Sequence, residues 1–413
     1  MNASFRPGSR SHLEATVREW LGLRESAGAS VPQLPERLAR RLLRLEEYEE
    51  SHRDQWDCWE YGFSESYRNG TLLEPEIDDW VASCRAELSK TVELVPLWPD
   101  GRPFAVCLTH DVDLVSDEST ISQTLRSMRR GLAPGGPARP RAVQLATPAV
   151  RAVRAFRNGI SRYPRAEHIE LSLEIEQKRR IAASYFFTVF PSLDASRFDC
   201  VYAARDRCSF RGRHGRVRDV LRALAHEGAD VGLHGSYPSA VRPDLLAQER
   251  EQLEDATGLE IVTTRQHFLH WDVRRTPALQ HAAGMRADST VGFNRAVGFR
   301  AGTSLPFRLF DADADASVDV LEVPLTLHDG PLLRADGLEL DLDLARKTMQ
   351  LVVDRVAAAG GVVTMSFHPN NLGQPEFFDL YAWAIDYVID RGAWVTSLRE
   401  LDAWWRQRAS ALA

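Results

Sequence analysis

Hydrophobic and polar positions follow two registers along this chain of 413 residues, and the more regular one begins near residue 167. Residues 169–181 carry apolar side chains at helical spacing, and the apolar run Ser184-Tyr185-Phe186-Phe187-Thr188-Val189-Phe190 follows as a strand. The unit then repeats. A helix over 216–227 ends at Gly228 and feeds a strand over 230–234; one over 244–257 ends at Gly258 and feeds 261–268; a short one over 276–283 ends at Gly284 and feeds 286–288. Residues 320–325 read as a strand, a helix over 342–359 precedes a strand over 361–368, a helix over 376–390 precedes a strand over 393–396, and a last helix starts at Leu398. Glycine just past a helix accepts the left-handed conformation that ends it, and helices alternating with apolar strands build a parallel sheet with crossover connections. Seven or eight such units predict an α/β fold, a distorted, closed or nearly closed β/α barrel.

The first 95 residues differ in character and predict a separate helical region, with helices over 36–50 and 78–94 and the aromatic group Trp56, Trp59, Tyr61, Phe63 and Tyr67 between them. Those aromatics offer either a sugar-stacking surface or a cap packed on the next domain, and the cap is the simpler expectation. Residues 96–103 make a linker, which leaves a barrel over 100–408. A basic insertion interrupts it at about 114–165, where Arg126, Arg129, Arg130, Arg139, Arg141, Arg151, Arg154, Arg157, Arg162 and Arg165 occur with no acid after Glu118. Such an insertion reads as a solvated loop, or as a lid or contact for an anionic glycan, a nucleotide-sugar or a lipid phosphate.

In barrels of this kind chemistry gathers at the carboxyl ends of the strands. The run Phe104-Ala105-Val106-Cys107-Leu108-Thr109-His110-Asp111-Val112-Asp113 ends there in two acids, and strand alternation puts Thr109, Asp111 and Asp113 on one side. Burying acids is expensive unless a metal, an arginine or a proton compensates. Three later strands end in suitable partners: His234; Arg265 and His267, which are in phase while His270 is not; and His368. One carboxylate and two imidazoles, from Asp113, His234 and His267, would form a ligand set with open positions for water and substrate, as catalytic zinc sites do. Asp111 would sit beside the ion and take a proton from water, Arg265 would keep Asp111 ionised and oriented, and His368 would protonate a leaving group. Phe268, Tyr237 and Arg300 are the expected substrate contacts, Arg300 because the glycine spacing of Gly298-Phe299-Arg300-Ala301-Gly302-Thr303 suits close backbone approach to a ligand carrying a carboxylate or phosphate; the same spacing equally fits a structural turn. Glu322 and the pair His328-Asp329 stand at another strand end and line the same mouth in this reading.

Composition narrows the classes. A hydrophobic share of 44% with 26% charged residues is ordinary for a globular protein, and a net charge of −7 argues against nucleic acid as a partner. No apolar run is long enough to span a membrane and the start lacks a secretory apolar core, so the expected location is cytoplasmic. The five cysteines (Cys58, Cys84, Cys107, Cys200, Cys208) are scattered without a CxxC pair and read as free thiols of a reducing compartment.

The ordered set Thr109-His110-Asp111-Val112-Asp113, Leu233-His234-Gly235-Ser236-Tyr237, Arg265-Gln266-His267-Phe268, Asp288-Ser289-Thr290 and Ser366-Phe367-His368-Pro369 resembles the polysaccharide deacetylases, the NodB-like carbohydrate esterases of family 4. The resemblance spans roughly residues 100 to 405. It implies metal-dependent hydrolysis of N-acetyl or O-acetyl groups on a sugar or polysaccharide precursor, with Asp111 as base, Asp113 and a second-motif histidine as ligands, Arg265 orienting the base and His368 as acid. Three positions depart from the family pattern: Val112 separates acids that are usually adjacent, Pro238 stands where a second histidine is usual, and His267 stands where proline is usual. His267 is therefore the expected replacement ligand. Two other functions fit the same residues: a metal-dependent C–N hydrolase acting on a small amide or imide, and a catalytically inactive glycan-binding barrel.

Overall fold

The structure, a computed structural model, describes residues 5–130, 153, 157–188, 196 and 198–412. Most of the central part of the basic insertion, 131–152 and 154–156, lies outside the described residues. The strands, in chain order, are β1 (Ala105–Val112), β2 (Ser184–Phe187), β3 (Arg207–Phe210), β4 (Arg213–Arg216), β5 (Asp230–Gly235), β6 (Thr263–Gln266), β7 (Ala287–Asp288), β8 (Phe307–Asp311), β9 (Ala316–Glu322), β10 (Leu327–His328), β11 (Val362–Ser366) and β12 (Trp394–Thr396). Ten of them form a curled sheet in the order β10-β11-β1-β2-β5-β6-β7-β9-β8, with β12 also pairing β1, while β3 and β4 form a separate hairpin. Within the curled sheet every ladder is parallel except β8 with β9. This is the crossover architecture that the glycine-ended helices predict, and Gly258 and Gly360 do end their helices in the left-handed region.

β1 is central and all eight of its residues are buried. Its alternation divides the core: Val106, Leu108 and Val112 pack into a cluster with the outer helices, whereas Ala105 and Cys107 belong to a second cluster on the side that also carries Thr109 and Asp111. That second cluster contains Trp20, Leu21, Ile77 and Trp98 from the first hundred residues together with Phe307, Val320, Leu321 and Trp405. The helical region is thus packed into the same core as β8 and β9. Trp20 Nε1 donates to the Pro306 carbonyl at 2.7 Å.

Several elements differ from the pattern-based expectation. The helix expected over 36–50 is two helices, Glu36–Leu42 and Leu45–Glu49, because Arg44 takes a left-handed φ of 60° between them. The next one runs Glu76–Leu88 and stops short of residue 94. Pro7–Leu21, β8 and the β3–β4 hairpin form without a clear periodic signal. Among the described residues no helix is long and apolar enough to cross a membrane.

Arg300 requires a correction. It is 4% exposed, pairs with both Glu47 carboxylate oxygens at 3.0 and 2.7 Å, and donates to the Gly292 carbonyl at 2.8 Å, so it holds the helical region and meets no ligand. The glycines around it serve the same junction. A Cβ at Gly298 would lie 2.3 Å from the Leu72 carbonyl oxygen and one at Gly302 would lie 2.6 Å from the Arg41 side chain, so both positions admit only hydrogen. Glu47 also pairs with buried Arg44. Replacing Glu47 by alanine leaves two buried guanidiniums without their acid, a change that costs about 3–5 kcal/mol for a single broken pair. The expected outcome for Glu47→Ala is a loss of at least that size in urea unfolding; an unchanged midpoint would mean the pair holds nothing.

Candidate active site

Asp111 and Asp113 reach the carboxyl edge of the sheet from β1, with the Asp113 N–H donating to the Asp111 carbonyl at 3.1 Å. Asp111 is 3% exposed and faces Arg265, which is fully buried. The Arg265 guanidinium donates to Asp111 Oδ1 at 2.9 Å, to Thr109 Oγ1 at 2.7 Å, and to the carbonyl and hydroxyl of Ser289 at 2.7 and 2.8 Å. Burial raises the Asp111 carboxyl, but Arg265, with His234 and His368 behind it, more than reverses this and holds it at about 2. Asp111 is therefore ionised and aimed.

The second group is built around Asp113, whose side chain is 33% exposed. His234 Nδ1–H donates to the Arg265 carbonyl at 2.9 Å, and His267 Nε2–H donates to the Phe198 carbonyl at 2.9 Å. Each ring is thereby fixed in the tautomer that leaves its other nitrogen as a lone pair. Those nitrogens, His234 Nε2 and His267 Nδ1, lie 2.8 Å apart, with Asp113 Oδ1 at 3.5 and 3.4 Å from them. Three donors converge on one point, and Cys200 Sγ, 3.9 Å from Asp113 Oδ1, is close enough to share an ion with Asp113 and His267. Burial lowers both imidazoles; for His234 Asp113 and Asp111 more than reverse it, while His267 stays lowered. Asp113 is held well below the usual carboxylate range against its burial, chiefly by His267 and His234. The point favours positive charge, which suits a cation.

A third group faces it. His368 Nδ1–H donates to Asp329 Oδ1 at 2.7 Å, and its Nε2 lies 3.7 Å from Asp113 Oδ2. Asp329 is in turn fixed by the His368 backbone N–H and the Asn371 amide, both at 2.9 Å. Burial lowers His368, but Asp329, Asp113 and Asp111 raise it to about 10. His328 stacks on the His368 ring at 5.0 Å, and burial keeps it neutral at about 4. His328, Asp329 and His368 are close enough to one another to bind an ion. The His368 Nδ1–H is committed to Asp329, an arrangement that equally suits an imidazole held and oriented by an acid.

One cleft is lined by Asp111, Asp113, His234, His267, His368 and Phe268, which the sequence places there, and by Trp56, Asn294 and Arg295, which it does not. Tyr237 lies beside the cleft rather than in its lining. It is 8% exposed, stacks on His270 at 4.1 Å, and donates its hydroxyl to the Trp56 carbonyl at 2.8 Å, so it supports Trp56 where a sugar contact was expected. Arg300 belongs to the junction described above. Glu322 is fully buried and accepts from the Val291 N–H at 2.9 Å, away from the cleft. His267 does not extend β6: the strand ends at Gln266 and a tight turn over His267–Leu269 presents the ring, with Phe268 at a φ of 60°. The signal for Trp56 was present in the aromatic group of the helical region, of which Trp59 is buried against Phe293 and Ala296 with Tyr61 packed beside it, as the cap reading predicts.

No family model matches the sequence, and neither does any curated protein. Solved structures do match. A candidate polysaccharide deacetylase from Mycobacterium smegmatis is 20% identical, with 76% of this chain and 96% of that chain covered at a TM-score of 0.48. An allantoinase, PuuE, is 16% identical, with 77% and 95% covered at 0.46. A probable polysaccharide deacetylase from Pseudomonas aeruginosa is 15% identical, with 77% and 95% covered at 0.44.

The raised His368 carries a direct expectation. In metal-free protein its imidazole resonances, followed by NMR, titrate near pH 10, and in Asp329→Asn the midpoint falls by at least one unit. Because the folded value exceeds the ordinary one of about 6.5, the stability this group contributes is complete below that pH and is lost as pH rises towards 10. An unchanged midpoint in the variant would remove Asp329 from its role.

Proposed function

We propose that the chain is a metal-dependent deacetylase hydrolysing N-acetyl or O-acetyl groups of a carbohydrate, with a divalent ion, best Zn2+, held by Asp113, His234 and His267. The observation that carries the reading is the pair of imidazole lone pairs 2.8 Å apart beside Asp113, with both ring N–H groups committed to carbonyls. Two nitrogens and one carboxylate that leave further positions open fit a catalytic zinc site. When bound, the ion polarises the acyl carbonyl and eases deprotonation of water.

The chain's own residues supply the rest. Asp111 accepts the proton of the attacking water, and Arg265 holds it ionised and directed. His368 holds a proton at Nε2 and passes it to the departing amine or alcohol, with Asp329 fixing the ring. Trp56 and Phe268, stacked at 6.0 Å and 22°, give the cleft an aromatic wall against which a sugar ring can lie and water is excluded. Base, orienting arginine and paired acid together favour an enzyme over an inactive binder. No disulfide forms among the described residues, which suits the cytoplasm and a glycan precursor as substrate.

Acetate release from N-acetylglucosamine oligomers, abolished by chelation and restored by Zn2+, is the expected result, and hydrolysis of small cyclic amides without acetate release would favour the other C–N hydrolase. Asp111→Asn should lower kcat by about 10²–10⁴ while metal content stays stoichiometric. His234→Ala and His267→Ala should each lose the metal by elemental analysis; stoichiometric metal in His267→Ala would refute its place as the replacement ligand.

A further inference from the structure

A second pocket lies among the described residues outside the cleft, and it is built from arginines. Arg126, Arg162, Arg205, Arg207 and Arg216 line it with a single acid, Asp206. Asp206 is already taken, since Arg126 pairs with it while donating to the Val201 carbonyl at 2.9 Å. Arg162, Arg207 and Arg216 have no acid within ion-pair range among the described residues. Arg207 and Arg216 are direct partners in the β3–β4 ladder, which puts two like charges opposite one another, an arrangement that destabilises a hairpin unless something anionic lies between them. The guanidiniums of Arg162 and Arg207 both sit over the Tyr163 ring, at 5.6 and 5.7 Å, and His214 stacks on that ring at 4.2 Å, so their positions are set in advance. The helix Ile121–Arg130 begins at the same pocket and presents Thr120 and Ser122 there. In a chain of net charge −7 this is a local concentration of positive charge, of which Arg162, Arg207 and Arg216 carry no ion pair among the described residues.

A groove leads from the cleft towards this pocket. It shares Asp113, His267 and Phe268 with the cleft, passes Cys200 and Val201, and reaches Thr124 and Ser127 on the helix whose other face lines the arginine pocket; Arg126, bonded to the Val201 carbonyl, stands between the two. Guanidinium forks match the tetrahedral oxygens of phosphate. We propose that the arginine pocket binds the phosphate or diphosphate of an activated glycan whose acetylated sugar lies in the cleft. The anion site stands on its own geometry; its service to a deacetylation rests on the function proposed above.

Calorimetry with inorganic pyrophosphate at physiological salt tests the pocket on the full chain. Wild type should bind below millimolar, and Arg207→Ala combined with Arg216→Ala, both exposed positions, should weaken binding at least tenfold; Arg162→Ala should weaken it in the same direction. No binding at millimolar pyrophosphate, or equal binding by folded variants, overturns the site. Acetate release is then measured from a uridine diphosphate-linked and a polyprenyl diphosphate-linked N-acetylglucosamine. Turnover of one of them, with KM raised at least tenfold in the double variant, supports the inference and names the source of the phosphate. Turnover of neutral N-acetylglucosamine oligomers alone, or a KM for the diphosphate sugars within twofold of wild type in the variant, overturns it while leaving the deacetylase standing. Arginine-dependent pyrophosphate binding with no acetate from any sugar leaves the anion site standing and removes the deacetylase.

Discussion

The Arg265 guanidinium is the group on which the rest of the arrangement depends. It is fully buried, so its N–H groups must find partners, and from its own place on β6 it finds them on two other strands or their ends: Thr109 and Asp111 on β1 and Ser289 just past β7. A buried cation of this kind is tolerated only with its acid in place. The barrel interior and the Asp111 carboxylate are therefore fixed by one set of hydrogen bonds, and Phe186 on β2 covers the guanidinium from 5.0 Å.

From that anchor the two acids of β1 acquire different characters. They share a strand face, yet Asp111 is sealed against Arg265 while Asp113 is one-third exposed and faces imidazoles. The inner acid is oriented and single-minded; the outer one is open to an ion and to solvent. Across the cleft the same logic recurs with opposite sign, since Asp329 makes a proton reservoir of His368 while leaving His328 beside it neutral.

Much of this was legible in the sequence because it depends on local pattern. Glycine-ended helices and apolar runs announced the parallel sheet, and titratable residues at run ends announced the mouth of the cleft. His267 was found by counting alternate positions from Arg265, although the strand stops before it and a turn delivers the ring. What was not legible depends on partners distant in sequence. Arg300 looked available because its acid, Glu47, lies 253 positions away. Trp56 looked like a cap because only the fold brings it to Phe268. Asp329 was visible as a strand-end acid, but its bond to His368 spans 39 positions. The β3–β4 hairpin, rich in arginine and poor in alternation, carried no strand signal at all.

The turn that delivers His267 contains two successive non-glycine residues in the left-handed region, Phe268 at a φ of 60° and Leu269 at 51°. Such residues are each strained by about 1–2 kcal/mol and persist only where neighbours hold them. One of those neighbours is Cys58, whose thiol, kept protonated by burial, donates to the Phe268 carbonyl at 3.1 Å. The loop carrying Cys58 and Trp56 is thus a clamp on a spring whose other end is a candidate metal ligand. Whatever tugs at that loop, from solvent or from a passing macromolecule, pulls on an imidazole deep in the barrel, which ties the amino-terminal region mechanically to the candidate site.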